Sequence, residues 1–171
     1  MSLVRYQVAV SLDGFIAPED GSIDWLEGSE GGSEFLAFIA TVGGIVTGRA
    51  SFEHALTLGP WDWAQPTVVM TSRPFEKPLP EGVTACNGAP AQALALLKPR
   101  MKGGDVWLFG GGKTAARFLE ADLIDRVELA VIPTALGSGT ALFGGASHAR
   151  RFKLARAEPK DGLVMLDYER A

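Results

Sequence analysis

From Asp105 to Phe109 the chain reads as a buried strand, and it then passes through Gly110-Gly111-Gly112 into a helical pattern running from Gly112 to Ala121. A strand that turns through glycine straight into a helix is the repeating unit of a parallel sheet covered by helices. The junction recurs. Ile45-Val46-Thr47 is a short buried strand, and Gly48-Arg49-Ala50-Ser51-Phe52-Glu53 opens a helix after it. Thr67 to Thr71 reads as another strand, followed later by a helix from Pro90 to Met101. At the start, Tyr6 to Leu12 has the β-branched, apolar character of a first strand, closed by the turn signal Asp13-Gly14. A polar loop from Pro18 to Ser33 leads to a helix over Glu34 to Ala40, with Ser33 as its N-cap and Gly43-Gly44 marking its end. The last third changes pattern. Arg126 to Ile132, Phe152 to Glu158 and Leu163 to Glu169 all read as strands, the last two joined by the tight turn Lys160-Asp161-Gly162. The expected fold is therefore α/β, with a mainly parallel central sheet and an antiparallel C-terminal edge.

At 171 residues the chain suits one domain spanning 1–171, a size at which about 70% of the unfolded surface is buried without any staple. Its hydrophobic fraction of 47% and charged fraction of 21% are those of a folded globular protein. A net charge of -4 gives no general attraction for nucleic acid or an anionic membrane, so the expected partner is a small molecule. Cys86 is the only cysteine and cannot form an internal disulfide. The opening residues lack a signal-peptide apolar core, and the apolar runs are far shorter than the ~20 residues that span a bilayer; a cytoplasmic protein is expected. His54, His148 and Cys86 show no metal-ligand spacing, so no metal is expected.

The glycine junction carries the chemistry. Exposed N–H groups at a helix start attract phosphate, and glycine lets a pyrophosphate approach the backbone. The segment is not a Walker loop, whose first glycine would fall at Trp107. It does fit the relaxed dinucleotide pattern GxGxxA through Gly110, Gly112 and Ala115, although late in the chain. Two more strand ends place hydroxyls beside an arginine: Thr47-Gly48-Arg49-Ala50-Ser51 and Thr71-Ser72-Arg73. Arginine's fork matches phosphate, so the pair favours NADPH over NADH. The alternatives are a glycine turn that serves folding alone and arginines that are merely solvated or surface-paired.

Ser11-Leu12-Asp13-Gly14-Phe15-Ile16-Ala17, Ile23-Asp24-Trp25-Leu26, Gly48-Arg49-x-Ser51-Phe52-Glu53 and Gly110-Gly111-Gly112-Lys113 resemble, in order and spacing, the dihydrofolate reductase-like superfamily, in the branch related to the riboflavin-pathway reductase domain. Pro133 to Gly139, followed by Leu142-Phe143, adds a similar segment, and the likeness covers nearly the whole chain. The resemblance implies a three-layer α/β/α domain with about eight strands and a cleft at their carboxyl ends. It implies that Gly48, Arg49, Ser51, Thr71, Ser72 and Arg73 surround the adenosine phosphate of NADPH. Gly110, Gly111, Gly112, Lys113 and Thr114 would cradle the pyrophosphate, with a cis peptide at Gly110-Gly111. Val8, Ala9, Ile16 and Ala17 would lie near the nicotinamide, and a homodimer paired through sheet edges is implied as well.

In dihydrofolate reductases an acidic residue shortly after a tryptophan orients the substrate; here Trp25 is followed by Glu27, Glu30 and Glu34 without an ungapped match. Glu34 is the candidate substrate-facing carboxylate. Asp13 at the cleft mouth either binds substrate or closes its own turn. Trp61 and Trp63 either wall the pocket or pack a loop onto the core. The zinc-deaminase motifs HxE and PCxxC of the bifunctional riboflavin enzyme are absent. The expected function is an NADPH-dependent reductase of a small heterocyclic or conjugated molecule. The alternatives are a ribosylaminopyrimidine reductase, using Lys113, Arg150 or Arg151 for a substrate phosphate, an NADPH-binding protein without turnover, and a purely structural domain.

Overall fold

The computed structural model describes residues 2–27 and 32–171, with the Ser33 side chain left out. Strands β1 (Val4–Ser11), β3 (Val42–Gly48), β4 (Thr67–Met70), β5 (Val83–Cys86), β6 (Asp105–Phe109) and β7 (Arg126–Ile132) run parallel. Strands β9 (Phe152–Lys160) and β10 (Leu163–Arg170) complete an eight-stranded sheet in the order β5-β4-β3-β6-β1-β7-β10-β9, with β10 antiparallel to both β7 and β9. Two short strands, β2 (Phe15–Ala17) and β8 (Thr140–Ala141), pair separately.

Alternation along the strands sends side chains to two different layers. Val4, Tyr6, Val10, Val46, Val68 and Leu108 pack under α3 (Pro90–Leu97) and α4 (Gly112–Glu120), through Ala93, Leu94, Leu97, Ala115 and Phe118. Ile45, Val69 and Trp107 face the other way, against Phe38 of α1 (Gly32–Ile39), Phe52 of α2 (Arg49–Leu58) and Trp61. This second layer stops short: on its side, the faces of β1, β7 and β10 remain a partly open groove beside α1. Among the described residues, no helix is long and apolar enough to cross a membrane.

Three local expectations need correcting. Gly43 and Gly44 lie inside β3 and do not end the preceding helix, which closes at Ile39. A Cβ on Gly43 would come within 1.6 Å of the Gly103 carbonyl, so the strand needs glycine for close backbone approach. Helix α1 begins at Gly32, which puts Ser33 inside its first turn and not at the cap. Helix α3 ends at Leu97 and tightens into a 3-10 turn over Lys98–Arg100, where Pro99 has no N–H to continue the α ladder.

Candidate functional site

The parallel register brings the strand ends into one row. Thr47 lies beside Phe109, Gly48 beside Met70, Met70 beside Cys86, and Ser11 beside Ile132. The Thr47 hydroxyl donates to the Phe109 carbonyl at 2.9 Å, fixing the ends of β3 and β6 where the glycine turn begins. Gly110 and Gly111 take φ values of 57° and 80°, and α4 starts at Gly112 with no side chain capping its first N–H groups. The cis peptide implied at Gly110-Gly111 is absent: the bond is trans, and two successive left-handed glycines make the turn.

The three glycines divide their labour. A Cβ on Gly112 would sit 1.9 Å from the Ala141 carbonyl, so this residue is a packing position. Thr114 is buried too, close enough to Gly48 that a Cβ there would lie 2.4 Å from its hydroxyl. The half-buried Gly110 and Gly111, beside Ser51, and the exposed Lys113 are the parts of the turn open to a ligand.

Beyond this turn lies a polar cavity of about 320 Å³ at the ends of β4 and β5. Arg49, Arg73 and Arg117 line it together with Thr71, Ser72 and Asn87, and no carboxylate among the described residues does. Arg49 is only 18% exposed; its Nε donates to Glu53, its Nη1 donates to the carbonyls of Arg73 and Pro74, and its guanidinium lies 4.3 Å over the Phe75 ring. Thr71 fixes the next turn by accepting from the Arg73 N–H and donating to the Arg73 carbonyl. The Arg73 guanidinium has no protein partner among the described residues. Arg117 and Asn87 were missed from sequence: Arg117 lies a helical turn beyond Lys113, and only the approach of α4 to the loop after β5 reveals it, through its bond to the Gly88 carbonyl at 2.8 Å.

On the other side of the row, Val8 and Ile16 pack into the core while Ala9 shares the strand face of Gln7, which lines the groove beside α1. Ala17 belongs to the small β2-β8 sheet. The groove has a volume of about 500 Å³. Glu34 stands at its edge, 2.9 Å from Lys160 Nζ and 3.3 Å from Arg156, and these cations, Lys160 first, hold its carboxyl below the usual range. Asp13 accepts from the Ser11 hydroxyl at 2.6 Å and from the Leu136 and Gly137 N–H groups, which lower it to about 2. These bonds tie the end of β1 to the loop after β7.

Trp61 is buried against Phe52 and Phe109 and donates to Thr67, while Trp63 packs on Phe35 and Trp107; neither lines the groove. Arg150 is drawn to the Ala149 and Glu120 carbonyls at the far end of α4. Glu30 lies outside the described residues.

A family model for the RibD C-terminal domain matches residues 60–165. The uncharacterized protein YwjB of Bacillus subtilis is 35% identical over 167 residues, covering 96% of this chain and 95% of its own length. Among crystal structures, a protein assigned to riboflavin biosynthesis from Shewanella sp. PV-4 superposes with a TM-score of 0.84 at 30% identity, covering 100% of this chain and 99% of that one. A Thermotoga maritima diaminohydroxyphosphoribosylaminopyrimidine deaminase/5-amino-6-(5-phosphoribosylamino)uracil reductase shares the fold, with a TM-score of 0.74 at 17% identity. The match covers 99% of this chain but 57% of that longer one.

Proposed function

Because the chain belongs to the RibD C-terminal domain family, a family of reductase-like domains, we propose that it is an NADPH-dependent oxidoreductase acting on a small heterocyclic or conjugated substrate. The observation that carries the cofactor half is the carboxylate-free cavity with Arg49, Arg73 and Arg117 on its wall, next to an uncapped helix start. In a protein of net charge -4, three arginines on one cavity wall, of which Arg49 is paired with Glu53, mark an anion site. The residues fit the group: the arginines, Ser72 and Asn87 suit a 2′-phosphate and its adenosine, and Gly110 and Gly111 leave backbone open where a Cβ on Gly111 would meet Ser51 Oγ at 3.0 Å.

When bound, NADPH supplies the hydride. The chain's task would be to hold the nicotinamide near Ala9 of β1 and Ala17 of β2, and the substrate in the groove beside α1. Lys113 adds charge beside the pyrophosphate. Glu34 and Asp13 are both held ionised, so their roles are anchoring ones: Asp13 shapes the loop after β7, and Glu34 presents an anion at the groove's edge.

The test is calorimetric titration with NADPH and NADH. Arg73→Ala is expected to weaken NADPH about tenfold or more while leaving NADH unchanged, since its guanidinium is free for the extra phosphate. Arg49→Ala is expected to weaken both, because Arg49 also holds the 73–75 turn in place. Absence of NADPH binding to the unaltered protein would overturn the reading.

A further inference from the structure

The groove beside α1 has its cations already matched. Arg5 grips Glu128 with Nε and Nη2, at 2.8 and 2.5 Å, and reaches Asp105 at 3.4 Å. Arg156 is divided among Glu34, Glu158 and Asp167, and Lys160 is held by Glu34. Against these three cations the lining presents four carboxylates, from Glu34, Glu128, Asp161 and Asp167. A phosphate entering here meets no unpaired cation and several like charges, which is how a site rejects an anion. The arginine cavity at the other end of the strand row has the opposite character, with no carboxylate among the described residues.

One polar side chain of the groove takes no part in these ion pairs. Gln7 lies on the face of β1 opposite Tyr6 and Val8, in register with Glu128 of β7 and one step along that face from Ala130, and its carboxamide has no hydrogen-bond partner among the described residues. A carboxamide offers a donor and an acceptor side by side, the complement of a ring edge that carries an N–H next to a C=O. Along the same face, towards the carboxyl end of β7, Ala130, Met165 and Leu163 form an apolar floor, and Phe35 and Phe38 of α1 form a wall. Flat apolar surfaces with one paired polar contact select a planar ring.

Resting on the reading of this groove as the substrate end of a reductase, we propose that it takes an uncharged, planar nitrogen heterocycle whose lactam edge pairs with Gln7, and that it excludes phosphorylated forms of such a ring. Gln7 is then a specificity-determining residue, and the ion pairs of Arg5, Arg156 and Lys160 are the device that keeps phosphate out. The ribosylaminopyrimidine phosphate alternative is disfavoured by the same charges.

Uridine, N3-methyluridine and uridine 5′-phosphate separate the terms, because methylation blocks the lactam N–H and the phosphate adds only charge. Each is titrated into the protein by calorimetry, with and without saturating NADPH. Uridine is expected to bind about tenfold or more tightly than either of the other two. Gln7→Leu is expected to bring uridine down to the N3-methyluridine level with NADPH affinity unchanged, which shows that the variant is folded. Glu34→Gln, which frees Lys160 and part of Arg156, is expected to narrow the gap between uridine and its phosphate.

Equal or tighter binding of uridine 5′-phosphate to the unaltered protein overturns the proposal, as does indifference to N3-methylation. Failure of every uridine probe alongside tight NADPH binding sinks this proposal alone. Uridine binding in a protein that ignores NADPH leaves it standing and removes the reductase reading.

Discussion

Gly111 and Gly112 are adjacent, yet alanine is expected to harm them in different ways. At Gly112 the new methyl meets a main-chain oxygen, that of Ala141, at 1.9 Å, and backbone cannot swing aside as a side chain does. Gly112→Ala should destabilise the protein by about 3 kcal/mol, read from urea unfolding. At Gly111 the contact is the Ser51 hydroxyl at 3.0 Å, which can rotate, and the main cost is the φ of 80°, worth about 1–2 kcal/mol. Gly111→Ala should therefore stay folded and lose NADPH affinity about tenfold, checked by the same titration as above. Three glycines between a strand and a helix announce a turn that a phosphate can approach. They do not say which glycine faces the ligand and which faces Ala141, because that contact comes from a segment distant in the chain. The implied cis bond was likewise a family expectation; two left-handed residues in succession make the bend without it.

At the scale of elements, hydrophobic period and glycine junctions located β1, β3, β4, β6 and β7, whose buried residues have a readable pattern. Strands β2 and β8, of three and two residues, have no period to read, and β5 follows Pro80 and Gly82, which look like loop. The Gly43-Gly44 pair shows how a local rule loses to packing. Glycine after an apolar helical run is a common stop signal, but here the pair lets β3 pass close to the 103–104 backbone, at a register shift between Val42 and Gly44. Gly43→Ala should cost more than about 3 kcal/mol or prevent folding. Gly59→Ala is the control: its φ of 167° is extended backbone and nothing lies within 4 Å of the added carbon, so its stability should stay within about 0.5 kcal/mol. Soluble yield and urea midpoints of the two variants decide the matter. Equal behaviour would show that the backbone approach at Gly43 is not a constraint.

Across the whole molecule, the site is a product of the sheet order. The sheet order brings the ends of β4 and β5 to α2 and α4 in the cavity, and β1, β7 and β10 to α1 in the groove, which is why Arg49 and Arg73 were legible beside strand ends while Arg117, Asn87 and Gln7 were not. The same long-range ties set the protein's response to acid. Asp13 is lowered from 3.8 to about 2, by the Ser11 hydroxyl first and then by the Leu136 and Gly137 N–H groups. Glu34 is lowered by Lys160, Glu120 by the Ser147 hydroxyl and Asp20 by the Ser22 N–H. A carboxyl whose folded pKa is depressed binds its proton more readily when unfolded, so its stabilisation is complete above the unfolded value and is lost as pH falls through the folded one. Asp167 runs the other way, raised by burial and then by Glu128, and its protonation relieves a cost as pH falls. Four depressed groups against one raised group make the net sign a loss in acid. The melting temperature should be level down to about pH 5 and fall below about 4.5, with Asp13 the last of these carboxylates to give way, near 2. Asp13→Asn should lower the melting temperature at neutral pH and flatten the part of the fall between about pH 4 and about 2, since the group that titrates there is gone. Parallel melting curves for the variant and the unaltered protein across that interval would mean that the tie between β1 and the loop after β7 does not depend on the Asp13 charge.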